Sequence, residues 1–312
     1  MARIEVSVVL PVLDEVESLG VLYRELTTVL EGLGRPYELI FVDDGSRDGS
    51  FETLEKLHRS DERVRVLRLR RNFGKAAALA VGFREANGEI VVTLDADLQD
   101  DPNELPRLLT RLEEGYDLVS GWKRDRQDRL SKTLPSRLFN WVTSRLTGLR
   151  LHDFNSGFKV YRREVVEELR LYGELHRFIP TLAAWRGFRV DELPVHHRPR
   201  QFGRSKYGSA RFWRGSLDLI TVLFLTRYTR RPLHLFGGLG LLAWTAGFAA
   251  NLYLTGLWLA GVRPIGNRPL LAFGVLSMLT GVQFFAIGLL SELVLSYQTR
   301  RADDVSIRSR LG

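Results

Sequence analysis

The sequence predicts an α/β domain built on a doubly wound, mainly parallel sheet, followed by two transmembrane α-helices. Three observations carry this reading. Residues up to about 208 alternate short β-branched runs with amphipathic stretches, the pattern of strand–helix–strand units. From Pro232 to Val262 there are 31 residues without Asp, Glu, Lys or Arg, and from Pro269 to Ser291 another 23; about 20 apolar residues cross the hydrocarbon core of a bilayer. Arginines bracket the pair of apolar runs: Arg227, Arg230 and Arg231 before the first, Arg300 and Arg301 after the second.

In chain order, the strands are expected at Val6–Leu10, Glu38–Val42, Val64–Leu69, Ile90–Leu94 and Leu118–Ser120. Each is a short Val/Ile/Leu-rich run, as in a strand buried on both faces. Helices are expected at Glu17–Leu33, Phe51–Arg59, Lys75–Ala86 and Pro102–Glu114, where apolar residues recur at helical spacing. Pro11 is read as the stop of the first strand, and Pro102 as a residue of the first turn of its helix. The expected organisation is a catalytic α/β domain over residues 1–208, a juxtamembrane amphipathic helix over 209–231, a transmembrane hairpin over 232–300 and a tail over 301–312. The juxtamembrane stretch mixes Phe212, Trp213, Leu217, Leu219 and Ile220 with Arg211 and Arg214, which suits a helix lying in the interface. The positive-inside rule puts both termini and the α/β domain in the cytoplasm, because the connection between the spans holds only Arg263 and Arg268. Small residues along "FGGLGLLAWTAGFAAN" suit packing of a span against a neighbouring copy.

Composition narrows the partners. The chain has 312 residues, 45% hydrophobic and 26% charged, with no cysteine; thiolate metal sites and disulfides are excluded. The first apolar run, Val6 to Leu13, is broken by Ser7 and Pro11 and soon meets Asp14 and Glu15, unlike a signal peptide. The net charge is +8, and from Arg198 to Arg231 there are nine Lys/Arg against one acid, Asp218. This basic run abuts the first span, so anionic lipid explains it better than nucleic acid, for which no motif appears.

The chemistry lies at strand ends, where open α/β sheets bind ligands. "VVTLDADLQDDP" follows a buried strand with four aspartates between Asp95 and Asp101. Such charges repel unless a cation offsets them. Asp95 and Asp97, two apart, project the same way in an extended segment. Asp97 suits a hard divalent cation and Asp95 the orientation of a ligand, since Mg²⁺ and Mn²⁺ take oxygen donors and share them with phosphates. Asp100 and Asp101 are read as the start of the next helix. "ELIFVDDGSRDGS" brings Asp43 to a second strand end, where it suits a ribose or base; Asp44 and Ser46 equally suit capping of the turn. "SVVLPVLDEVESL" brings Glu15 to a third. In "RNFGKAAALAVGF", Lys75 opens a helix and is either an anion ligand or a solvated lysine. The three acidic ends together point to a nucleoside-diphosphate site.

Taken in order, "PVLDE", "VDDGSRDGS", "RNFGKAAAL", "LDADLQDDP", "DFNSGFKVYRREV" and "RPRQFGRSKYG" resemble the dolichyl-phosphate mannose synthase-type glycosyltransferases, the polyprenyl-phosphate branch of a large inverting family with the GT-A fold. The likeness covers about residues 5 to 210, and the two following spans resemble those of its membrane-anchored bacterial members. The resemblance implies transfer of a sugar from a UDP- or GDP-sugar to a polyprenyl phosphate, with Mg²⁺ or Mn²⁺. It implies that Pro11, Leu13 and Glu15 hold the nucleotide base, that Asp43 contacts base or ribose, and that Asp95, Ala96 and Lys75 belong to the nucleotide-sugar site. Asp97 and Gln99 would ligate the metal. Arg200 and Lys206 would close over the diphosphate, and Lys123, Lys132 and Ser136 would bind the acceptor phosphate. Two of those are Lys where mannose synthases often have Arg, a point charge in place of a bidentate fork. Leu13 and Asp14 stand where mannose synthases usually have Tyr and Asn, which removes the specific case for mannose and GDP.

The implied chemistry fits the residues. Asp97, through its metal, and Arg200 would offset charge on the leaving diphosphate. A phosphate monoester is largely dianionic near neutrality and needs little help from a base. Asp153, beside "NSGF", is read as a base, as a group steering the acceptor phosphate, or as a loop anchor. A processive polysaccharide synthase is disfavoured: its Q-x-x-R-W motif is absent, since Trp185-Arg186 and Trp213-Arg214 both run in the reversed order, and two spans cannot enclose a polymer channel. A membrane-anchored sugar-nucleotide sensor or scaffold would need no acceptor-phosphate residues.

Overall fold

A computed structural model of the chain describes residues 3–123, 140–145, 147–199, 221–222, 224, 232–262 and 264–298. Among these the chain forms two compact units, Met1–Val222 and Leu223–Gly312.

The first unit is a seven-stranded sheet in the order β3-β2-β1-β4-β6-β5-β7. Its strands are β1 (Val6–Val12), β2 (Tyr37–Asp43), β3 (Val64–Arg68), β4 (Ile90–Thr93), β5 (Leu118–Lys123), β6 (Lys159–Arg162) and β7 (Val190–Val195). Its helices are α1 (Val16–Gly32), α2 (Ser50–Ser60), α3 (Lys75–Glu85), α4 (Leu105–Glu113), α5 (Arg163–Glu168) and α6 (Ile179–Arg186). β1 pairs in parallel with β2 and β4, β2 with β3, and β5 with β7; β6 runs antiparallel between β4 and β5. The sheet is therefore mainly parallel with one reversed strand. Strand order reverses at β1, so the carboxyl ends of β1, β2 and β4 flank a topological switch point.

Side-chain alternation sorts the core into two layers. Val6, Val8, Leu10 and Val12 of β1 meet Leu19, Leu22, Leu26 and Leu30 of α1 and the leucines of α4 on one face. Val9, Ile40 and Val42 meet Ala78, Leu79 and Phe83 of α3, with Val165 of α5 and Ile179 of α6, on the other.

All five strands and four helices read from the sequence are present. Several bounds differ for physical reasons. Pro11 does not stop β1. It lies beyond the Val9–Thr93 end of the β4 ladder, where β1 pairs only with β2 and the absent N–H breaks no rung. The helix expected at Pro102 begins as a 3₁₀ turn over Pro102–Glu104 and becomes α-helical only from Leu105, with Pro106 in its first turn.

The second unit is a helical hairpin, α7 (Pro232–Leu259) and α8 (Pro269–Gln298). Within each apolar span only 11% of residues are buried, whereas a core helix of a water-soluble domain would be covered. Both helices are long and apolar enough to cross a membrane. They pack through glycines. A Cβ on Gly240 would stand 2.7 Å from the Gly281 carbonyl oxygen, and one on Gly247 would stand 2.4 Å from that of Gly274. The small-residue stripe is thus used inside the chain, α7 against α8. The backbone N–H of Leu233 donates to Glu292 of α8 at 3.4 Å, so one helix supplies a partner to the exposed amides that open the other. Apart from Thr221, Val222 and Phe224, the juxtamembrane helix expected over 209–231 lies outside the described residues.

Candidate active site

The loops that leave β1 and β2 are laced together by side chains. Ser46 N–H donates to Asp43 Oδ1 at 2.9 Å, Asp14 N–H to Ser46 Oγ at 2.9 Å, and Arg47 N–H to Asp14 Oδ1 at 2.8 Å. Glu15 N–H donates to Ser50 Oγ at 2.9 Å. Asp14 takes a φ of 49°, a left-handed conformation that a short polar side chain tolerates. Leu13 is half-buried beside it, and Pro11 and Glu15 are also partly open to solvent.

A cavity of about 650 Å³ opens at the ends of β1, β2 and β3, with Leu13 and Ser46 on one wall and Arg68, Arg70, Arg71 and Asn72 on the other. Asp43 is fully buried beneath it, with Arg68 Nε 3.5 Å from Oδ2. The arginines went unread in the sequence, although Arg68 lies within a predicted strand and Arg70 and Arg71 follow directly on it.

Asp44 holds the next loop. Its Oδ1 accepts from Phe73 N–H at 2.7 Å and its Oδ2 from Gly74 N–H at 2.9 Å. Burial pushes this carboxyl up, while the two amides pull it down. The loop so fixed delivers Lys75, at the start of α3, to Asp95 Oδ1 in a close ion pair. Asp95 lies against the turn that precedes β6: a Cβ on Gly157 would meet Asp95 Oδ2 at 2.5 Å. Thr93 Oγ1 donates to the Gly157 carbonyl at 2.8 Å and fixes the same turn. Buried Lys159 donates to the Ser156 carbonyl; burial and neighbouring Lys75 push its ammonium down to about 8. Asp153 is 3% exposed and accepts from Asn155 N–H at 3.1 Å.

The D-x-D-x-Q segment turns sharply. Ala96 and Leu98 are buried, and Asp95, Asp97 and Gln99 are half-buried. Asp97 Oδ1 accepts from Gln99 N–H at 3.2 Å. Leu98 takes a φ of 61°, a strained conformation for a leucine, of the kind concentrated at ligand sites. Among the described residues no three His, Asp or Glu side chains converge into a preformed metal cage. A carboxylate and a carboxamide oxygen nonetheless fit Mg²⁺ or Mn²⁺, which complete their shells with phosphate oxygens and water.

One sequence reading meets a different outcome here. Asp100 does not start a helix. It is fully buried, with Lys123 Nζ at 2.8 Å and His197 Nδ1 at 3.7 Å. Only Asp101 caps, accepting from Asn103 N–H at 3.0 Å. Lys123, expected at the acceptor phosphate, is the partner of Asp100. Burial pulls its ammonium down, and Asp100 and Asp95 raise it by more, so it stays charged. Lys132, Ser136, Arg200 and Lys206 lie outside the described residues. The structure brings Asp43, Lys75, Asp95, Asp97 and Gln99 to the carboxyl ends of neighbouring strands.

The model of glycosyl transferase family 2 matches residues 7–170. A dodecaprenyl-phosphate galacturonate synthase of Rhizobium johnstonii is 37% identical over 97% of this chain and 90% of its own length. An undecaprenyl-phosphate 4-deoxy-4-formamido-L-arabinose transferase of Salmonella typhimurium is 38% identical over 98% of this chain and 91% of its own. The chain belongs to glycosyl transferase family 2. It is a glycosyltransferase of the polyprenyl-phosphate group that the six motifs suggested. Among solved structures, glucosyl-3-phosphoglycerate synthase from Mycobacterium tuberculosis, in complex with Mn²⁺ and UDP-glucose, aligns with a TM-score of 0.55 at 23% identity, covering 72% of this chain and 79% of that one. At that identity the likeness shows the fold. In this family-2 chain the sheet, the switch point and the acidic β4 end form the GT-A-like scaffold.

Proposed function

We propose that this family-2 enzyme transfers a sugar, with inversion, from a nucleoside diphosphate to a polyprenyl phosphate at the cytoplasmic face of a membrane. The observation that carries the reading is the joining, in one chain, of an acidic strand-end site to two helices able to cross a bilayer. The polyprenyl tail of the acceptor stays in lipid, so its phosphate is presented at the interface. An enzyme that uses a water-soluble sugar nucleotide must be held there. The two relatives named for polyprenyl-phosphate acceptors match the chain through both spans.

In this reading the base and ribose enter the cavity lined by Leu13 and Arg68, and Pro11, Glu15 and Asp43, on the neighbouring strand ends, contribute to holding them. Asp97 and Gln99 hold a divalent cation, which supplies positive charge to the departing diphosphate. Lys75 fixes Asp95, which with the Ala96 backbone orients the donor. Arg200 and Lys206 add cations to the diphosphate. The acceptor phosphate attacks as a dianion, and Lys132, Ser136 and Lys123 supply polar groups on its side. Asp153 steers the acceptor and has no proton to remove from a dianion.

The test incubates the purified full chain in detergent with polyprenyl phosphate, Mg²⁺ or Mn²⁺, and a panel of labelled UDP- and GDP-sugars. Label entering the lipid phase names the donor; release of free sugar with no lipid label from any donor overturns the acceptor. In the same assay Asp97→Ala abolishes transfer with membrane insertion intact. Full activity of that variant on added Mn²⁺ would remove Asp97 from the metal site.

A further inference from the structure

We propose that the buried Asp100–Lys123 pair, with His197, is a positioning device for Gln99. It holds the Asp97–Gln99 turn in the one conformation that offers two oxygen donors to a cation. The inference rests on the cation site proposed above and adds residues that do not themselves touch the ion.

Asp100 is 0% exposed and the Lys123 side chain 11%. Removing two charges from water is costly, and well-packed apolar residues of similar volume often serve stability as well or better. A pair kept in such a place is better explained by geometry than by stability. The geometry is close by. Asp100 directly follows Gln99, and Leu98 before it sits in a strained left-handed conformation at 1% exposure. Such a conformation persists only where the surroundings over-determine it.

The surroundings do so from three directions. Lys123, the last residue of β5, holds Asp100 Oδ1 at 2.8 Å from inside the sheet. From the chain after β7, His197 reaches Asp100 through Nδ1 at 3.7 Å, and its other nitrogen, Nε2, stands 3.4 Å from the Gln99 side-chain amide. The backbone closes the third side. Asp100 and His197 form an isolated antiparallel bridge, and Arg198 N–H donates to the Gln99 carbonyl at 2.8 Å. Arg198 then ties Asp101 and Glu25 at 2.7 Å each. Gln99 is thus gripped at its carbonyl and at its amide, and the residue after it is locked by charge. The same segment continues, two residues on, into Arg200.

The experiment measures Mn²⁺ affinity by electron paramagnetic resonance in the presence of UDP, with thermal unfolding and transfer to lipid in parallel. Asp100→Asn/Lys123→Met removes both buried charges together and avoids stranding either one. It is expected to unfold near the wild-type temperature yet to bind Mn²⁺ about 10- to 100-fold more weakly, the usual cost of losing a group that orients a metal ligand. Raised Mn²⁺ should restore part of its turnover. His197→Gln keeps both charges and a hydrogen-bonding side chain, so it tests the same grip with little risk to the fold, and a loss of about 3- to 10-fold is expected. Mn²⁺ affinity within twofold of wild type in both variants would overturn the inference. If the double variant fails to fold, His197→Gln decides alone. Absence of Mn²⁺ binding by the wild-type chain would instead overturn the cation site itself, and the inference with it.

Discussion

At the residue scale the site depends on close approaches that leave no room for a methyl group. Gly157 is the clearest case, since a Cβ there would stand 2.5 Å from the Asp95 carboxylate. Gly157→Ala is expected to push Asp95 off Lys75 and lower kcat at least about tenfold, because a shift of about 1 Å at a positioned group costs on that order or more. Wild-type turnover of that variant in the lipid assay would show that Asp95 tolerates displacement. Lys159 gives a pH-dependent test. Its ordinary value near 10.5 is pushed down to about 8 in the fold. The unfolded chain therefore binds more protons between those values, and stability rises with pH across that window, by on the order of 3 kcal/mol if burial is complete. In Lys159→Met that rise is lost. Thermal melts of both forms from pH 7 to 10.5 check it, and parallel curves would refute it. The acidic ends were legible because Asp43, Asp95 and Asp97 follow short, continuous apolar runs that read as buried strands. Asp100, Lys123 and His197 were not, because their meaning lies in contacts across as many as 97 positions, between Asp100 and His197, and no local pattern marks a charge as buried.

At the element scale the sequence is plain where a period is long and weak where a strand is short. Helix α1 follows from its helical period, and the β1, β2 and β4 cores from short continuous apolar runs bounded by turn residues. β6 has four residues, begins on Lys159 and ends on Arg162, so it carries almost no alternation. β7 lies at the sheet edge, and its Asp191, Glu192 and Pro194 are the residues that protect an edge from further pairing. Those features hide it from a hydrophobic scan. The spans were legible from length and charge, but the use of their glycines was not, because a small-residue stripe reads the same for a partner helix within the chain or outside it. The structure turns that ambiguity into a test. Gly247→Val would drive a side chain into the Gly274 carbonyl of α8, at a cost of about 1–3 kcal/mol. Detergent-solubilised protein should then unfold at lower temperature. Gly256, which has nothing within 4 Å of its Cβ position, is the matched control and should tolerate Val. Equal melting of the two variants would show that the hairpin does not depend on that approach.

At the scale of the whole molecule, the proposed chemistry makes sense only if the sugar-nucleotide domain and the tail after the second span face the same side of the membrane. The charge distribution argues for this. Arg227, Arg230 and Arg231 precede the first span and Arg300 and Arg301 follow the second, against Arg263 and Arg268 in the connection; positive residues stay on the cytoplasmic side. The connection is short, from Ala260 to Arg268 between α7 and α8, so an even number of crossings returns the chain to the side it left. The chain contains no cysteine, and a single thiol can therefore be placed at will without background. Gly266→Cys puts one in the connection, where a Cβ meets nothing within 4 Å, and Ser309→Cys puts one in the tail. In intact cells an impermeant maleimide should label Gly266→Cys and leave Ser309→Cys untouched until the membrane is opened. The reverse pattern would put the sugar-nucleotide site on the side where nucleotide sugars are not made. Labelling of both thiols in intact cells would mean that the helices do not span as a hairpin, and the interfacial acceptor would lose its physical basis.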